Sequence, residues 1–191
     1  MKKTIPATLA AMLACAGARA APVHYTLDPN HSFPSFEAPH IQAISMWRGK
    51  IDKTAGTVVL DREAKTGSVD ITMQANSIDF GLPKLNEHVQ SKDMLDVQTF
   101  PTITYKADKM RFNGDAPAEI DGNLTMHGVT KPVTLHINSF KCIMHPMLKK
   151  EVCGADASAE LNRSDFGIDY AVQMTGSPMV KLAIQVEAFK D

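Results

Sequence analysis

Alternation of apolar and polar side chains, sustained over most of the chain, limits the folds open to this sequence. It is clearest between Asp121 and Ile137, which read D-G-N-L-T-M-H-G-V-T-K-P-V-T-L-H-I. Leu124 and Met126 alternate with Thr125 and His127. Val133, Leu135 and Ile137 alternate with Thr134, His136 and Asn138. Successive strand residues point to opposite faces, so two such runs around a turn at residues 128–131 predict an antiparallel hairpin with one apolar face. Pro132 has no N–H and is expected at the start of the second strand, where no ladder bond is lost.

The same rhythm recurs along the chain. Val69, Ile71 and Met73 alternate with Asp70, Thr72 and Gln74, and Val180, Leu182, Ile184, Val186 and Ala188 with polar residues. Further strands are expected at residues 25–28, 45–51, 56–61, 102–108, 110–113 and 155–163. Residues 31–40 carry Pro34 and Pro39 and read as an irregular or edge strand. Residues 76–100 break the rhythm: Leu85, His88, Val89, Lys92 and Leu95 fall at helical spacing after Pro83, predicting a short helix over 83–94. Eight or more half-buried strands and one helix point to an all-β fold, a closed antiparallel barrel or a sandwich. The barrel removes the exposed edges. On residues 155–161 the inward set is Ala155, Ala157, Ala159 and Leu161, and Gly122 is similarly small. An eight-stranded barrel with small inward residues has room for one ligand.

Lys2 and Lys3, an apolar run over residues 5–16 and Ala18-Arg19-Ala20 form the pattern of a secretory signal peptide cleaved after Ala20. A rival reading makes Cys15 a lipidation site, against a poor lipobox. Residues 21–191 are enough for one domain. Removing Lys2, Lys3 and Arg19 from the 20 Lys and Arg leaves 17 against 21 Asp and Glu, a formal charge of −4. With no basic run, neither nucleic acid nor a polybasic contact with a membrane is expected. No later run reaches the ~20 apolar residues of an integral membrane span. Cys142 and Cys153 are the remaining cysteines and, in an exported chain, are expected to form a disulfide stapling a loop. The alternative is a copper(I) site made with Met144, His145 and Met147.

The chain resembles the YceI-like family of exported bacterial proteins. The residues that carry the likeness are His31-Ser32 with Phe36 and His40; Gly49 and Gly56; His88, Ser91 and Asp96 before Phe100-Pro101; Gly122, Leu124, Thr125 and Gly128-Val129-Thr130 with Pro132-Val133; Asp165-Phe166-Gly167; and Glu187. The resemblance implies a lipocalin-like antiparallel β-barrel of about eight strands. It also implies a periplasmic protein that holds a long polyisoprenoid, a quinone tail or polyprenyl phosphate, in an apolar tunnel, with no cofactor and a homodimer as a possible assembly. Carried over residue by residue, the tunnel wall takes in Phe36, His40, Met94, Leu95, Phe100, Leu124, Met126 and Phe166. Size and alternation add Trp47, Ala157 and Ala159. The sequence departs from the family at Met94-Leu95, where many members have two phenylalanines, at Pro34, and in the Cys142–Cys153 insert.

Motifs for catalysis are few. G-x-S-x-G, the P-loop and the dinucleotide fingerprint are absent. Of the seven histidines, His24, His127 and His136 are expected to be solvated. His31, His40 and His88 are expected to satisfy buried groups or meet a ligand's polar head. Three functions follow, in order: a lipid carrier or reservoir, an enzyme acting on such a lipid through those histidines, and a stress-related interaction protein with a filled barrel.

Overall fold

The computed structural model of the protein describes residues 21–191. The signal-peptide reading and Cys15 fall outside them. The strands are β1 (Val23–Leu27), β2 (Phe33–His40), β3 (Ser45–Ile51), β4 (Thr54–Asp61), β5 (Thr66–Gln74), β6 (Ile78–Asp79), β7 (Thr102–Asn113), β8 (Ala116–Met126), β9 (Val129–Met144), β10 (Glu151–Asn162) and β11 (Met179–Lys190). Two short helices, α1 (Pro83–Gln90) and α2 (Val172–Thr175), accompany them.

All pairings are antiparallel and the sheet closes on itself, β1 pairing with both β4 and β11. The eleven segments fill eight positions of a closed barrel. β1 and β2 succeed each other along one edge of β11, with Tyr25 opposite Lys190 and Phe36 opposite Leu182. β3 and β4 run back beside them, Gly49 opposite Phe36 and Val58 opposite Tyr25. β6 pairs with the end of β3, where β5 has already ended. Tight connections at residues 62–65, 114–115 and 145–150 gather at one end of the barrel. The longer segments 75–101 and 163–178 cover the other.

Alternation predicted most of these strands because one face of each is buried: Val69, Ile103, Leu124, Val133 and Leu161 all point into the core. The departures have local causes. Residues 102–113 are one strand, not two. A bulge between Ala107 and Lys109 shifts the register against β8 and resets the alternation. The turn of the central hairpin is the pair His127-Gly128, both with positive φ, 52° and 75°. That is the two-residue geometry whose twist matches the flanking strands. Pro132 therefore lies inside β9, opposite Asn123, rather than at its start.

β2 is likewise not an edge strand, since it lies between β11 and β3. Its prolines are accommodated because neither is flanked on both sides. Pro34 pairs only with Ile184 of β11, and Pro39 only with Met46 of β3. Pro132 meets β8 before β9 reaches β10, and Pro117 meets Phe112 before β8 reaches β9. Each missing N–H thus falls where no second ladder needs it.

α1 begins at Pro83 as expected but stops at Gln90. The Ser91 N–H turns back to His88 O, and the Leu95 N–H to Val89 O. This fold-back swings Met94 and Leu95 under the barrel. α2 is a single turn that the sequence pattern did not suggest.

Candidate ligand cavity

The inward faces of the strands do not meet. They leave a cavity of about 300 Å3, lined by side chains from every barrel position and from the α1 segment. Volumes of this order hold small ligands. Of the expected wall residues, Phe36, Met94, Leu95, Leu124, Met126 and Ala157 line it. Phe36 closes over Gly49: a Cβ there would lie 2.7 Å from the Phe36 Cζ. Its ring meets the edge of Phe80, centroids 5.3 Å apart.

The other five expected residues lie elsewhere. Trp47 packs edge-on against Phe80 and His40, with centroid distances of 6.4 and 5.5 Å, and neither it nor His40 is part of the lining. Phe100 covers Gly128 and meets the His127 ring at 4.8 Å. Ala159 and Phe166 are buried in the main core without lining the cavity, Phe166 at 1% exposure. Of the lining residues that sequence reasoning did not single out, Phe80 and Ile168 come from segments without alternation, whereas Val69, Met73, Leu135 and Leu182 sit on strands whose alternation was plain.

Gly122 does not open space as expected. Tyr105 fills it, and a Cβ at 122 would lie 2.4 Å from the tyrosine Cζ. The Tyr105 hydroxyl donates to Ile120 O, with Val133 O also at 2.9 Å. Burial pushes its acidity well below that of a free phenol. The wall's other polar groups are mostly partnered. Ser32 Oγ bridges to Glu187 O and accepts from Glu187 N–H, at 3.0 and 3.2 Å. Arg163 donates to the Ile168 and Tyr170 carbonyls, tying the 163–170 turn over the helix-covered end. Thr54 is the exception. It is 4% exposed and lines the cavity, and its Oγ1 has no hydrogen-bond partner among the described residues.

At the opposite end the wall is sealed by a polar cluster. The Tyr25 hydroxyl donates to Glu151 Oε1 at 2.5 Å, and Arg62 Nη2 donates to Tyr25 Oη at 3.0 Å. Burial, with the hydrogen bond to Glu151, pushes the Tyr25 pKa up to about 12. The same Arg62 nitrogen lies 2.9 Å from Cys142 Sγ and 3.4 Å from Cys153 Sγ. Those two sulfurs form a disulfide between directly opposed residues of β9 and β10. The expected stapled loop is thus a stapled strand pair. Both strands run on beyond the cysteines, and the thiolates that the copper reading needed are committed to each other. Among the described residues no group of three His, Cys, Asp or Glu side chains is placed to hold a metal.

The histidines are scattered. His31 pairs with Asp28 at 2.7 Å, His88 meets the Tyr170 ring, and His136 pairs with Glu119. His127, expected in solvent, is half-buried, and its Nδ1 lies 2.9 Å from Phe166 O. The turn geometry folds it inward. None of these imidazoles lines the cavity. No helix among the described residues is long and apolar enough to cross a membrane.

A YceI-like domain matches residues 25–188. A UPF0312 protein of Pseudomonas aeruginosa is 32% identical over 193 residues, covering 100% of this chain and 99% of its own. Protein YceI of Salmonella newport is 31% identical over 191 residues, covering 98% and 97%. Among solved structures, BcnA of Burkholderia cenocepacia superposes with a TM-score of 0.66 at 20% identity, over 84% of this chain and 98% of that one. A polyisoprenoid binding domain from Saccharophagus degradans, implicated in plant cell wall breakdown, superposes with a TM-score of 0.64 at 13% identity, over 88% and 99%. At these identities the two structures speak for the fold. Together with the domain match and the two full-length relatives, the closed barrel makes this chain a member of the YceI-like family.

Proposed function

We propose that the protein is a lipid-binding barrel that encloses the chain of a long isoprenoid lipid, as carrier or reservoir in an exported, aqueous compartment. One observation carries this reading: a closed barrel holds a cavity whose wall is almost wholly hydrocarbon. A polyisoprenyl chain needs apolar surface and almost no hydrogen bonds, and its burial at roughly 25 cal/mol per Å2 supplies affinity without a reacting group. The polyisoprenoid binding domain of Saccharophagus degradans, which shares the fold, supports the choice of ligand class. The disulfide agrees with an oxidising compartment such as the periplasm. Binding rather than catalysis is the reading, because none of the histidines that an enzyme would use lines the cavity.

The polar atoms of the wall orient the ligand. Thr54 and Arg163 both lie toward the helix-covered end. A headgroup oxygen placed there would give the Thr54 hydroxyl its missing partner. The test is mass spectrometry of an organic-solvent extract from protein purified without detergent. A stoichiometric isoprenoid is expected, its mass giving tail length and headgroup. An extract that stays empty after incubation with quinone would overturn the reading.

A further inference from the structure

The β9–β10 arm reaches past the rest of the barrel. β8 leaves β9 at the pair Glu119–His136, and β11 leaves β10 at Val152–Phe189. The last pair, Met144–Glu151, has no third strand beside it. Beyond it the tip is ordered. His145 N–H donates to Lys150 O, Lys149 N–H to His145 O, and the Met147 and Leu148 N–H groups both donate to His145 Nδ1. The His145 ring rests on Phe189. This turn holds four large apolar side chains in solvent: Ile143, Met144, Met147 and Leu148, at 46, 63, 80 and 60% exposure.

Lys141, Lys149 and Lys150 surround them, all exposed, and none has an ion-pair partner among the described residues. Gly154 of β10 has Lys141 on one side and Glu187 on the other, and three further acids of this end are engaged. Glu151 turns back to Tyr25 and Arg62, Asp115 pairs with Lys65, and Asp191 accepts from Thr26. The other exposed apolar group lies at the helix-covered end and includes Ile44 and Met174. The basic residues on the strand after Ile44, Arg48 and Lys50, are paired with Glu37 and Asp52.

We propose that the arm docks the protein on a bilayer bearing anionic headgroups, with Met147 and Leu148 seated among the lipids and the three lysines on the headgroups. An apolar tip with exposed lysines that form no ion pair beside it is the arrangement that interfacial anchors use. Docking needs neither an occupied cavity nor the isoprenoid reading.

The test is flotation with vesicles of phosphatidylcholine containing one-third phosphatidylglycerol, against pure phosphatidylcholine, at low salt. The protein is expected to float with the anionic vesicles only, and to be released by salt. Met147→Ser with Leu148→Ser, and separately Lys149→Ala with Lys150→Ala, should abolish flotation or weaken it by about fivefold per lysine. Ile44→Ser with Met174→Ser should float like the parent, as should a variant with the cavity blocked at Ala157. Circular dichroism confirms the fold of each. Equal flotation on neutral vesicles, or arm variants that float like the parent, would overturn the proposal. So would self-association, seen by sedimentation, that the arm variants abolish, because the occupant would then be a second copy.

Discussion

The phenol ring of Tyr105 occupies the space where Gly122 has no side chain, and its hydroxyl lies between two strand carbonyls on β8 and β9. One aromatic thus ties three neighbouring strands, β7, β8 and β9. Gly122→Ala should push the ring off both carbonyls and destabilise the fold by about 2–4 kcal/mol, from overpacking and lost hydrogen bonds. Tyr105→Phe keeps the packing and should cost about 1–2 kcal/mol. Urea unfolding followed by circular dichroism measures both. A neutral Gly122→Ala would mean that Tyr105 does not hold this position.

Blocking the cavity separates binding from stability. Ala157 faces empty space, so Ala157→Phe should fold with little loss and reduce isoprenoid uptake by at least tenfold. Uptake can be followed by extraction and mass spectrometry after incubation with a quinone. Unchanged uptake would place the ligand outside the barrel.

Thr54→Val tests the polar end of the cavity. The substitution removes a buried hydroxyl that has no partner in the empty protein, so stability should hold or rise by about 1 kcal/mol. Affinity for a ligand bearing an oxygen headgroup should fall by about fivefold, the value of one hydrogen bond, with no change for the headless hydrocarbon. Competition between the two ligands reads the difference.

Alkaline pH should loosen the end sealed by Tyr25. Its pKa rises from 10.0 in the unfolded chain to about 12 in the fold, so the folded state holds the proton more tightly. The stabilisation is complete below pH 10 and is lost as pH climbs from 10 towards 12. Tyr25→Phe should flatten this part of the stability profile. Tyr105 shifts in the same direction, so the difference between parent and variant isolates Tyr25.

Reduction of the Cys142–Cys153 bond, or its replacement by two serines, should cost roughly 3 kcal/mol by the chain-entropy argument and lower the melting temperature by about 6–12 °C. Thiol reagents should find no free cysteine among these two until a reductant is added. Reactive thiols in the untreated protein would show that the pair is open.

The barrel was legible in the sequence because each strand buries one face, and burial writes a period of two into the residues. The outline held even where details moved. The bulge at residues 107–109 is invisible to a period count, since it looks like the end of one strand and the start of another. The prolines misled for a related reason. Pro34 and Pro39 suggest an edge, yet a barrel whose strands are staggered has one-sided positions inside it. The cavity wall was half legible. Leu124, Met126 and Ala157 follow from alternation, and Phe36, Met94 and Leu95 came with the family likeness. Trp47, Phe100 and Phe166 carry the same apolar signature as the wall, and only the three-dimensional arrangement leaves them out of it. Thr54 left no signal, because an unpartnered hydroxyl is a fact of packing.

The barrel's seam lies between its first and last strands, with Tyr25 opposite Lys190 and Leu27 opposite Ala188. Contacts this far apart in the chain are slow to form, because a long loop must close before they repay its entropy. Closing the ring requires β11 to be in place against β1. A sheet without that pairing would leave the apolar interior as a trough, open along one side. An apolar ligand could be laid into such a trough from the side. Order of events during maturation, as much as the finished shape, would then decide whether the barrel is filled.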